Sequence, residues 1–192
     1  PESLLIVNLA RTHAEILGNI GRAGEAVDLL RQTIAVQEQS AGLRGIRAGN
    51  LFNALGNALN IQGHYREALE ALQRADLLYA PSMTSDVETA ASLGNIGNVM
   101  ESAGDYAGAL RNFDAAIVLL EKDAANQAAA RKMRRSRART LGLAGRHEEA
   151  LEALTTLREE ERREEGVDSP SYAITTWQLA VLARQMSDPA RG

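Results

Sequence analysis

Arg131, Arg135 and Arg139 stand four residues apart, and with Lys132, Arg134 and Arg137 they put six cations into nine residues. On a helix a spacing of four places the three arginines on one face, where like charges destabilise by about 0.2–0.5 kcal/mol per pair. The acidic run from Glu159 to Glu165, on the helix expected next, can offset part of that repulsion. Guanidinium groups suit carboxylates and phosphates, which they grip with charge-assisted hydrogen bonds. Three readings of the run stay open: a solvated charged face, a site for acidic or phosphorylated side chains, and a nucleic-acid contact. The patch is short and has no interleaved aromatics, which weighs against the last.

A second set is neutral. Asn50, Asn53, Asn57 and Asn60 recur at three- and four-residue intervals and share a helix face. An amide both donates and accepts, so it can pair with the backbone of an extended peptide whatever that peptide's sequence. Asparagine is also a poor helix former, so four on one face carry a propensity cost. The alternative is a set of merely solvated polar positions. Each amide bond nets roughly 1 kcal/mol, and four fall at the low end of an association cost of about 4–15 kcal/mol. A peptide held this way needs an anchor as well. Trp177, the sole tryptophan, is either that anchor or a packing residue.

Catalytic patterns are missing. No glycine-rich phosphate loop with a following Lys-Ser/Thr occurs, and His147-Glu148-Glu149 runs into Ala150 and Leu151 rather than completing a zinc-binding pair. Gly94 and Gly97 follow no strand, so they make no dinucleotide fingerprint. His13, His64 and His147 are scattered. The expectation is a chain that is not an enzyme and holds no metal or cofactor.

Composition narrows the class. Hydrophobic content of 45% with 4% aromatic fits an Ala/Leu-rich helical array. Without cysteine there is neither a disulfide framework nor a thiolate metal site. No apolar run nears the roughly 18 residues that span a bilayer, and nothing resembles a signal peptide, so a cytoplasmic chain is expected. The net charge of −4 argues against general nucleic-acid binding. All of the basic residues except Lys122 and Lys132 are arginine, a bias that points to a GC-rich bacterial source. The chain starts at Pro1 without Met and is expected to be a piece of a longer protein.

The elements that must position these residues follow from a repeat. Gly21, Gly63, Gly104 and Gly145 are separated by 42, 41 and 41 residues and open similar segments, such as Gly63-His64-Tyr65-Arg66-Glu67-Ala68 and Gly104-Asp105-Tyr106-Ala107-Gly108-Ala109. A period in this range means stacked repeats. Each holds two helical patterns joined at the glycine, where positive φ costs least. Leu51, Leu55, Leu59 and Ile61 precede Gly63, and Leu69, Leu72, Leu77 and Leu78 follow it. Leu93, Ile96 and Met100, then Leu110, Phe113 and Val118, repeat the scheme. Pro81, Ser82 and Thr84 break the chain before Ser85-Asp86-Val87-Glu88, a capping-box signature. Asp168-Ser169-Pro170 opens the last helix. Helices are predicted at 3–20, 23–39, 43–61, 65–79, 85–102, 106–121, 124–144, 147–165 and 171–186. Leu-Gly-Asn-Ile-Gly at 17–21 and 93–97 crosses this register and is not the repeat.

These residues resemble the tetratricopeptide repeat over nearly the whole chain. Its pattern is met by Leu55-Gly56, Gly63, Tyr65, Ala68, Leu72 and Ala75, and by Ile96-Gly97, Gly104, Tyr106, Ala109, Phe113 and Ala116. The fourth repeat keeps Gly145, Ala150 and Leu154 but has His147 and Leu157 as departures. The first keeps Gly21, Ala26 and Leu30, with Ala23 and Thr33 as departures. The usual period is 34; the longer one is similar to repeats of kinesin light chains and bacterial signalling proteins. The resemblance implies an all-α, right-handed α-α superhelix of about nine helices, in four pairs plus one terminal helix. The repeats would be a single array of 1–41, 42–83, 84–123, 124–167 and a partial 168–192, truncated at its end.

In that family the first helix of each pair lines a concave face. Carried over by register, the groove positions are Arg11 and Glu15; Asn50, Asn53, Asn57 and Asn60; Gly94, Asn98 and Glu101; Arg131, Arg135 and Arg139; then Trp177 and Val181. Co-chaperone members grip a terminal carboxylate with a charged and amide set, but Ala54, Ala91 and Asn95 stand in the matching places. The implied function is a protein–protein interaction module that binds a peptide segment or partner domain, acidic in one reading, in its groove. The alternative is a regulatory or scaffolding spacer of a larger signalling enzyme, acting by intramolecular contact or dimerisation. Leu179, Val181 and Leu182 on the last helix predict self-association through an open C-terminal end.

Overall fold

Glycine at the predicted turns does what its missing side chain allows. Gly63 sits at φ 78°. Its N–H donates to the Asn60 carbonyl and the His64 N–H to the Leu59 carbonyl, both at 3.0 Å. That pair of bonds closes a helix through a left-handed residue, a conformation that costs a side chain about 1–2 kcal/mol. The same two bonds recur at Gly21, from Gly21 and Arg22 to Gly18 and Leu17, and at Gly145, from Gly145 and Arg146 to Gly142 and Leu141.

The computed structural model describes residues 2–40, 45–79 and 85–187. Two compact units divide it, Pro1–Gly104 and Asp105–Gly192. The first contains α1 (Glu2–Asn19), α2 (Ala23–Ser40), α3 (Gly45–Ile61), α4 (Tyr65–Leu78) and α5 (Asp86–Ser102). In the second are α6 (Tyr106–Leu120), a short 3-10 turn (Ala124–Asn126), α7 (Gln127–Leu143), α8 (His147–Glu164) and α9 (Pro170–Ser187). Among the described residues there is no strand, and no helix is long and apolar enough to cross a membrane.

In the first unit α1 packs on α2, α3 on α4, and α3 also touches α1 and α5. Its core joins Leu17, Leu30, Leu51, Leu59, Ala68 and Leu72. The closest approach is between α3 and α4. A Cβ on Gly56 would lie 2.7 Å from Leu72 Cγ and 3.1 Å from the Ala68 carbonyl oxygen. Ala68, Leu72 and Ala75 are fully buried there, which explains the small-residue pattern read from the sequence. In the second unit α7 packs on α6, α8 and α9, and α8 on α9. Ala138, Leu141, Ala150, Leu154, Leu179 and Leu182 form its core.

The caps behave as predicted at two sites. Ser85 accepts from the Glu88 N–H while the Glu88 carboxylate accepts from the Ser85 N–H, a reciprocal capping box. Ser169 Oγ accepts from the Tyr172 N–H at 3.2 Å ahead of Pro170, the first residue of α9. Pro81, Ser82 and Thr84, and residues 188–192, lie outside the described residues. Three expectations change. The helix predicted over 124–144 begins as a 3-10 turn, capped by Asp123, whose Oδ1 accepts from Ala125 N–H at 2.9 Å. Leu77, Val118 and Ile61, counted among apolar stripes, are exposed. Leu179 and Leu182, expected to need an outside cover, are buried within the second unit.

Candidate functional site

α1 and α3 build one cleft of the first unit. The spacing of four brings Arg11 and Glu15 to the same face of α1, and spacings of three and four bring Asn50, Asn53 and Asn57 to one face of α3. These five residues line a cavity of about 370 Å³. Asn57 is exposed; Asn50 and Asn53 are half-buried and held in place. Asn50 Oδ1 accepts from the Tyr79 hydroxyl at 2.9 Å, and Tyr79 is hydrogen-bonded to Asn53 too. Asn53 Oδ1 accepts from Asn95 Nδ2 on α5 at 2.7 Å. Burial pushes the Tyr79 phenol above its ordinary pKa, the Asn53 bond opposes that, and the Glu88 and Asp76 charges add to the rise. The ring reaches α3 because position 49 is glycine: a Cβ there would stand 2.5–2.9 Å from ring carbons.

Asn60 does not line this cleft; its Oδ1 is buried and accepts no hydrogen bond. Asn98 is half-buried on α5 and lies outside the cleft lining. Neither Tyr79 nor Asn95 was among the groove residues drawn from the sequence. Asn95 was within reach, since it lies one period of 42 after Asn53. Tyr79 left one trace, the glycine at position 49.

The arginine run behaves differently from a cationic surface. Arg131 is buried, with Nη1 donating to Glu164 Oε2 at 2.5 Å and Nη2 to Glu165 Oε1 at 2.7 Å. Arg135, its side chain 13% exposed, pairs with the fully buried Glu161. Arg134 donates to Glu160 at 2.9 Å and to Glu121, and Arg137 to Asp114 at 2.5 Å. The acidic run of α8 therefore binds the face of α7 that carries Arg131 and Arg135. Exchanging Arg135 for an acid would set it against buried Glu161, so such a variant tests folding before it tests binding. Arg139 is exposed. With Trp177, which is 65% exposed, and Val181 it lines a second, largely apolar cleft of about 190 Å³ between α7 and α9. No group of three or more His, Asp or Glu that could hold a metal occurs among the described residues.

Glycine-closed helix pairs at a period near 42, with small residues at the pair contact, define a tetratricopeptide-repeat fold. Residues 89–122 match the tetratricopeptide repeat family. Among solved structures, the chain is similar to the nearly identical tetratricopeptide-like repeats of a kinesin-light-chain type protein from Podosopora anserina, at 18% identity and a TM-score of 0.76, over 96% of this chain and 89% of that one. A point-substituted form of that same protein gives a TM-score of 0.77 at 18% identity, covering 96% and 88%. A Rap protein complexed with competence and sporulation factor matches at 19% identity and a TM-score of 0.69, over 95% of this chain and 54% of that one. No curated protein matches the chain in sequence.

Proposed function

We propose that the chain is a protein-interaction module that holds an extended segment of a partner protein in the cleft of α1 and α3, chiefly by its backbone. The observation that carries this reading is the fixed amide row. Asn50 and Asn53 are braced by Tyr79 and Asn95, and exposed Asn57 continues the row beside Arg11 and Glu15. Bracing matters because an immobilised amide loses less side-chain entropy on binding. The Rap match, solved with a bound factor, supports a peptide as the kind of partner. Three amide bonds at roughly 1 kcal/mol each cannot meet an association cost of about 4–15 kcal/mol, so the segment also needs contacts outside this row. Arg131 and Arg135 serve the fold in this reading, while Arg139 and Trp177 line the cleft of the second unit.

The test is selection of random peptides displayed against the whole chain, followed by affinity measurement. Asn57→Ala should weaken a selected peptide about tenfold, roughly one to two hydrogen bonds, with melting unchanged. Selected peptides that bind Asn57→Ala and Asn53→Ala as well as the parent would overturn the reading.

A further inference from the structure

We propose that the segment held by α1 and α3 carries a carboxylate and a cation two residues apart, the carboxylate gripped by Arg11 and the cation by Glu15. This rests on the reading of the chain as a peptide-binding module, and it supplies the contacts that the amide row lacks. Charge comes first. Arg11 and Glu15 are the only charged residues in the lining of this cleft, and they have opposite signs. Both are exposed, and among the described residues neither is part of an ion pair or a hydrogen bond. Four apart on one helix, they could satisfy each other only through an exposed pair, which is weak, and they form none. A wholly acidic segment meets repulsion at Glu15, and a wholly basic one meets it at Arg11.

Two contacts fix the level of each charge along the cleft. Burial is the main influence on the Tyr79 phenol, and the Arg11 charge opposes it. That phenol is bonded to Asn50, so Arg11 stands at the Asn50 end. A Cβ on Gly18 would lie 3.2 Å from Ile61 Cδ1, so the other end is where residue 18 of α1 meets residue 61 of α3. Glu15, one turn past Arg11, is therefore level with the later part of the amide row. Four residues of helix rise about 6 Å, and two residues of an extended chain span about 6.6 Å. Alternate residues of a strand also face the same way. A carboxylate opposite Arg11 thus brings the residue two places along opposite Glu15. Asn53 and Asn57 are four apart as well, so the same step presents successive backbone groups of one strand edge to both amides. The side chain between the two charges turns the other way, over Ala14, Ala54 and Ala58.

Random seven-residue peptides selected against the full chain should be enriched in Asp or Glu two places from Lys or Arg. Arg11→Gln should weaken a selected peptide about tenfold. Exchanging the peptide's acid for its amide should cost the same, and the two changes together should cost no more than either alone. Glu15→Gln should behave in the same way with the peptide's cation. The decisive variant is the double exchange Arg11→Glu with Glu15→Arg, which keeps the net charge and alters only exposed side chains. It should lose the parent's peptide about a hundredfold and bind the same peptide with its acid and base exchanged. Should the double variant melt well below the parent, the two single variants and their cycles decide the matter alone. Peptides that lose affinity in Asn57→Ala yet keep it in Arg11→Gln and Glu15→Gln would overturn the charge pairing and keep the module. Peptides that bind Asn53→Ala and Asn57→Ala as well as the parent, or no selectable peptide at all, would overturn both.

Discussion

Asn53 and Arg135 hold the same place in their repeats, each ten residues before its turn glycine, Gly63 and Gly145. They use it in opposite ways. Asn53 bonds sideways to Asn95 on α5 and to Tyr79, so its amide stays at the wall of a cleft. Arg135 turns to the next helix of its own unit and pairs with buried Glu161 on α8. The neutral row lines an open cleft, whereas the charged row is largely matched by its own chain. Density of cations in a sequence therefore says little about a binding face until the anions have been placed.

The comparison breaks most sharply at Glu161. If the α7 arginines act on structure, Glu161→Ala strands a largely buried guanidinium and should destabilise by about 3–5 kcal/mol. Replacing both partners, Arg135→Met with Glu161→Leu, should recover most of the loss, since an apolar pair of similar volume is often neutral or stabilising. Denaturant titration of the single and double variants decides it. A single variant within about 0.5 kcal/mol of the parent would mean the ion pair is surface decoration, and the contrast with Asn53 would dissolve.

The next effect is steric and belongs to the first unit. Gly56→Ala drives a methyl against Leu72 and the Ala68 carbonyl, and Ala68→Leu overfills the same contact. Each should cost about 1–3 kcal/mol. Ala109→Leu, equivalent in register and equally buried, should behave alike. Unchanged melting in all three would mean that the repeat register, and with it the Asn53–Arg135 equivalence, is wrong.

The register was legible because it rests on backbone chemistry that few residues satisfy. Glycine at positive φ, serine facing its own capping glutamate, and alanine at a helix contact each have one reason to stand where they do. Side-chain pairing was less legible. The sequence offered both Arg131 and Glu159–Glu165, and even a partial offset of charge, but not that Arg131 and Arg135 would be drawn below the surface. That depends on how far α7 lies from α8. Leu179 and Leu182 mislead for a related reason: α9 packs on α8 and α7, and that contact covers them. Tyr79 was hidden because its partner, Asn50, lies 29 residues away on another helix.

The smallest effect sharpens the neutral side of the comparison. Tyr79→Phe removes the hydroxyl that braces Asn50 and should cost about 1 kcal/mol at neutral pH. Its pH dependence is the more telling readout. Burial raises the folded-state pKa of the phenol above its ordinary value, about 10 in an unfolded chain. Between those values the unfolded chain loses the proton while the folded one keeps it. The contribution of Tyr79 is therefore fully present below about pH 10 and declines as pH rises toward the folded pKa. Tyr65, Tyr106 and Tyr172 are present in both proteins, so only the difference between parent and variant isolates position 79. Denaturant titrations should show that difference narrowing from pH 8 to pH 10.5. A gap that stays constant across the range would mean the phenol is as well solvated folded as unfolded. Asn50 and Asn53 would then be no better braced than ordinary surface amides.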